Sequence, residues 1–202
     1  ETRVFGYDWH NYWQMFQGGR PSYAGVDVFN PPWTIIMLWP LGALPFRESW
    51  AVFTLLTLAV LVGSLPRRPT GHLDLAAALM LFSSYWVLRA IVDGNLPAVV
   101  IAGAGLAGYG WRTRSPAGLT AGLLLLTAKY QESWLAVLII GTFTLRVWPA
   151  RRWGWAALGI LAIAGPSLLW LGAEWRGALF PPLAGSGQFA PAVDRLNSNI
   201  TL

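Results

Sequence analysis

Cysteine is absent from all 202 residues, which excludes structural disulfides and thiolate metal sites. Charge is scarce as well: 11% of residues are charged, where a soluble domain carries about 25%. So little polar surface cannot wrap a core in water. Histidine occurs only at His10 and His72, without an HxH or HxxxH companion, so neither makes a metal site by itself and no divalent metal is indicated. P-loop, HExxH and GxSxG patterns are missing, as is any repeat visible by eye. The basic balance of +5 reads as membrane topology and not as nucleic-acid binding, because the basic residues sit in short loops between apolar runs.

What the chain does have is hydrophobicity: 55% apolar residues and a mean hydropathy of +0.48. Trp favours membrane interfaces and Pro is tolerated in membrane helices, so 13 Trp and 14 Pro fit an all-α polytopic membrane protein. The expected spans are 48–65, 73–91, 96–111, 117–128, 133–147 and 153–171. The fourth is short for a roughly 30 Å hydrocarbon layer. Ahead of them, 31–44 is apolar but too short to cross and is interrupted by Pro40, so it is expected to lie along the membrane surface. The organisation expected is an outward loop with this juxtamembrane helix over 1–47, a helical bundle over 48–172 and an outward tail over 173–202. The chain starts at Glu1 without Met or an inserting helix and stops soon after an apolar run; it reads as a fragment of a longer protein, the alternative being a complete chain that uses internal signals only.

If the six segments alternate, three loops share one side. They hold Arg67, Arg68, Arg112, Arg114, Arg146, Arg151 and Arg152, against the single acid Asp74. The positive-inside rule puts that side in the cytoplasm. The opening loop, the 92–95 and 129–132 turns and the tail then face outward.

Candidate chemistry gathers on the outward side. Asp8 lies among Tyr7, Trp9, His10 and Tyr12. A carboxylate there can take a proton from an attacking hydroxyl while aromatic faces stack on a sugar; a solvated Asp within an interfacial aromatic belt is the plainer alternative. His10 is read as a hydrogen-bonded loop histidine sooner than as a ligand. Arg89, Asp93 and Asn95 flank one outward turn, and Lys129 and Gln131 another. Cations at helix ends suit a lipid-linked phosphate, though snorkelling with ion pairing accounts for them equally. Gly103, Gly105 and Gly108 form a GxGxxG inside an apolar span with no preceding strand. Close helix packing explains it better than a nucleotide.

Asp8 with Tyr12, Gly18-Gly19-Arg20-Pro21-Ser22-Tyr23, and Asn30-Pro31-Pro32-Trp33 leading into Leu38-Trp39-Pro40-Leu41 resemble the glycosyltransferase-C superfamily. Within it, the chain is most similar to prokaryotic polyprenol-phosphate-mannose-dependent mannosyltransferases. Asp93-Gly94-Asn95-Leu96 stands where that family often has Asn-Gly-Gln, and 117–129 resembles its "AG…LK" segment. Lys129-Tyr130-Gln131 departs from the family's Lys followed closely by Pro. The resemblance implies inverting transfer of a sugar, mannose, from a polyprenyl-phosphate donor to a lipid or glycan acceptor, with Asp8 as base. It also implies donor phosphate near Lys129 and Arg89 and a lipid carrier in a groove between helices. No other cofactor is expected; the partners are the bilayer and the lipid-linked donor. A non-catalytic subunit or scaffold of a larger membrane complex is the alternative. A transporter ranks last, for want of mid-membrane charge or a repeat.

Overall fold

The computed structural model describes residues 6–26, 28–63, 83 and 85–179, with the side chains of Trp86 and Arg89 excepted. Expectations for the turn holding Arg67, Arg68, His72 and Asp74, for most of the 73–91 span, and for the chain beyond 179 lie outside those residues. The described part is helical throughout, with no strand.

Helix α1 (Tyr7–Phe16) corrects the expectation of an opening loop. No Pro or Gly interrupts it, and Asp8 in its first turn favours the positive helix end. Trp9, Tyr12 and Phe16 recur at helical spacing and are all buried. Helix α2 (Pro32–Leu38) begins after extended Pro31, with Pro32 in its first turn. It passes into a 3₁₀ turn (Trp39–Ala43) around Pro40, where the missing N–H and the ring prevent a regular α-helix from continuing. The short helix expected over 31–44 therefore exists.

Helix α3 (Phe46–Gly63) matches the first expected span. Helix α4 (Tyr85–Asp93) ends at Gly94, whose φ of +72° suits glycine. A Cβ there would also lie 2.4 Å from Trp9 Cβ. Helices α5 (Pro97–Thr113) and α6 (Pro116–Leu126) form a tight hairpin. Arg114 at φ +54° closes α5, and Ser115 Oγ accepts from Gly118 N at 3.2 Å to cap α6.

Small residues set the hairpin's spacing. Cβ atoms placed on Gly103, Gly110 and Gly122 would stand 2.2–2.3 Å from backbone nitrogens of the facing helix. Gly105, by contrast, has nothing within 4 Å. The GxGxxG stretch is thus partly a helix contact, as its sequence context suggests.

After a 3₁₀ turn (Thr127–Lys129), Lys129 leaves helical geometry at φ −124°, ψ 74° and α7 (Tyr130–Val147) starts in a new direction. A straight helix would carry Trp148 about 43 Å from Leu119. Instead both belong to one buried cluster with Ala107 and Ala156. Helix α8 (Ala150–Leu179) starts there, tied by Thr120 Oγ1 donating to Ala156 O at 3.0 Å. It runs on to α1 and α2, where Leu171 joins Trp9, Tyr12 and Ile35 in the larger core. Its described part reaches Leu179, about two turns past the expected end of that span, and so includes Glu174 and Trp175, which hold the first loop (below).

Among the described residues, three helical segments are long and apolar enough to cross a membrane: Phe46–Gly63, Pro116–Val147 (bent at Lys129) and Ala150–Leu179. Leu55, Leu161 and Leu169 stand exposed on them, Leu169 at 90%. In water such surface is costly; in lipid it is the expected exterior. The bundle has two unlike ends. One gathers Arg112, Arg114, Arg146, Arg151 and Arg152 around the 114–115 and 148–149 turns. The other carries α1, α2 and the end of α8.

Candidate functional site

The second end is where the candidate residues meet. Gly6 N donates to Val92 O at 2.7 Å, fastening the start of α1 to the end of α4. Asp8, half-buried in the first turn of α1, therefore shares a corner with Asp93 and Asn95. Asp93 is the last residue of α4; Asn95 Oδ1 accepts from Leu96 N at 2.8 Å and closes the turn into α5. Tyr7 is exposed. Arg89 lies on α4.

On a helix, residues two apart face different ways while residues four apart face alike. Asp8 and Tyr12 thus share a face and His10 does not. The His10 ring stands edge-on to Phe46 at 5.2 Å and nearly parallel to Trp13 at 6.2 Å. It sits on a helix, not in the expected loop, and packs among aromatics. Among the described residues, no group of three or more His, Asp or Glu could hold a metal ion.

Tyr12 is buried and its hydroxyl donates to Asn30 Oδ1 at 2.6 Å. Burial holds its proton far above the ordinary tyrosine range. The nearby charges of Asp8 and Glu132 act in the same direction, and the Asn30 bond opposes them. Both carboxylates therefore lie within electrostatic reach of one phenol. Lys129 is only 12% exposed and is paired with Glu132. Ser133 Oγ donates to Lys129 O at 3.1 Å. Gln131, in the first turn of α7, is exposed.

Three supporting residues escaped sequence reasoning. Asn30 Nδ2 donates to Ala128 O at 2.6 Å, and Asn30 O accepts from Tyr23 OH at 2.5 Å. Glu174 Oε2 accepts from Ser22 Oγ at 2.7 Å and from Tyr23 N at 3.0 Å, with Arg20 beside its other oxygen at 3.6 Å. Trp175 Nε1 donates to Phe29 O at 2.9 Å. The Gly-Arg-Pro-Ser-Tyr turn is thus strapped to the end of α8. No local signal marks a partner some 150 positions away; a lone carboxylate near the end of an apolar helix was the available hint.

Next to this corner an apolar groove of about 360 Å³ opens between α2, α3 and α5. Met37, Leu41, Leu56, Val60, Ala102 and Leu125 are among its walls. Phe53 lines it and also stacks on Trp9 at 4.2 Å and 14°. Trp9 is fully buried, with Nε1 donating to Ser49 Oγ at 3.1 Å. One wall residue of the groove, Phe53, thus packs on the aromatic residue that follows Asp8 in the chain.

The described residues are thus those of an all-helical protein, with three helices among them long and apolar enough to span a membrane and a polar corner at one end. No protein-family model, curated protein or solved structure matches the chain.

Proposed function

We propose that this chain is a membrane glycosyltransferase with a glycosyltransferase-C-like bundle of six spans. It moves a hexose, mannose by its resemblance, from a polyprenyl-phosphate donor to a hydroxyl of a lipid or glycan acceptor. The observation that carries the reading is the apolar groove whose wall residue Phe53 stacks on Trp9, the neighbour of Asp8 in the chain. An isoprenoid tail fits such a groove, and its phosphosugar head would then stand at the polar corner.

In this reaction Asp8 takes the proton of the acceptor hydroxyl as that oxygen bonds to the anomeric carbon. The carbon–oxygen bond to phosphate breaks on the opposite face, so configuration inverts and polyprenyl phosphate leaves. Lys129 balances the phosphate charge, in competition with its partner Glu132. Asp93, Asn95, Gln131 and the exposed Tyr7 border the space for the sugar and acceptor, and Arg89, carried by α4, is the second cation for the phosphate. The basic end lies in the cytoplasm and the Asp8 end outside.

One observation favours the second reading, a non-catalytic subunit of a membrane complex: Lys129 already has a carboxylate partner. Transfer of labelled sugar from polyprenyl-phosphate donors separates the two. The enzyme reading expects transfer that Asp8→Asn abolishes in a correctly inserted protein. A subunit shows no transfer and copurifies stoichiometrically with a partner.

A further inference from the structure

Asn30 is buried at 7% exposure where α1, the first loop and the end of α6 converge. The Ala128 carbonyl can only accept, so it must face the amide nitrogen, and Oδ1 is left for the Tyr12 hydroxyl. The orientation of the amide is fixed by its partners. On one side it grips Tyr12, one turn along α1 from Asp8. On the other it grips the carbonyl immediately before Lys129. Packing alone does not call for this residue, because Pro21 and Pro31 of the same loop, and Pro32 after it, are fully buried with no polar side-chain atom to satisfy. A buried amide costs stability unless its bonds are made, whereas made bonds fix direction and register.

We infer that Asn30 is a positioning residue that locks the Asp8 helix to the Lys129 turn, so that both sides of the candidate site move as one body. Its consequence for turnover rests on the transferase reading; the mechanical coupling does not. The polypeptide has no cysteine, so paired nitroxide labels can be placed without background. One pair, at Gln14 on α1 and Leu135 on α7, reports the coupling. A control pair, at Tyr109 on α5 and Trp155 on α8, reports the basic end.

In nanodiscs, pulsed EPR is expected to give one narrow distance for the first pair in the parent. In Asn30→Ala that distribution broadens or splits while the control pair keeps its distance. If the control pair also moves, the variant has lost its fold and Tyr12→Phe decides. That change frees α1 yet leaves the Ala128 bond, and it should broaden only the first pair. An unchanged first-pair distribution in the deciding variant overturns the inference. Transfer from polyprenyl-phosphate mannose, measured on the same samples, falls with the broadening. A parent with no transfer but the expected broadening defeats the transferase reading and leaves the coupling standing.

Discussion

At the scale of single residues, Tyr12 and Tyr23 carry the clearest solution signature. Burial raises both hydroxyls far above the usual tyrosine value of about 10, with Asp8 and Glu174 respectively the next cause. Folding therefore favours their neutral forms. The stability this contributes is complete below about pH 10 and is lost as pH climbs above it, because only the unfolded chain ionises them there. Tyrosinate absorbance during alkaline titration should show a fraction that appears only on unfolding, and Tyr12→Phe with Tyr23→Phe should remove it. Ionisation of both before any loss of helix would contradict their burial. Tyr12→Phe alone leaves Asn30 Oδ1 without its donor, a cost of about 1–3 kcal/mol. That these hydroxyls meet at Asn30 was not legible in the sequence, since residues 12, 23, 30 and 128 converge only through tertiary packing.

At the scale of elements, the α5–α6 hairpin gives a prediction of opposite signs for one chemical change. Ala is the better helix former by about 1 kcal/mol. Gly105→Ala, with open space around it, should therefore be neutral or slightly stabilising. Gly122→Ala puts a methyl 2.2 Å from Ala107 N and should force the helices apart, at a cost of about 1–3 kcal/mol. Denaturation in bicelles would order the two variants, and equal effects would refute the close contact. Most helix positions here were readable from apolar runs closed by Pro, Gly and Arg: 96–111 became Pro97–Thr113, and 133–147 became Tyr130–Val147. Helix α1 was obscured because its aromatics drew a functional reading before a periodic one, although Trp9, Tyr12 and Phe16 already held the helical spacing. The extension of α8 was hidden for a different reason. Glu174 and Gly177 look like part of a polar tail until Glu174 finds Ser22 and Tyr23.

At the scale of the whole molecule, the separation of a basic end from the Asp8 end is the architecture on which the proposed reaction depends. Single cysteines at Arg114 and at Gln131 should react with a membrane-impermeant maleimide from opposite faces of sealed vesicles. Labelling from the same face would undo the assigned orientation. The groove could be foreseen from the sequence only through the resemblance, because its walls come from four separated elements. Ion pairing at the outward turns was one of the two readings the residue types offered, and Lys129 does pair with Glu132. What unites the ends, groove and corner is the claim that Asp8 removes a proton during sugar transfer. The most direct measurement is transfer of radiolabelled mannose from polyprenyl-phosphate mannose in membranes holding either the parent protein or its Asp8→Asn form. The account predicts label in a lipid or glycan acceptor with the parent and none above background with Asp8→Asn, both being inserted equally. Normal turnover by Asp8→Asn would contradict it.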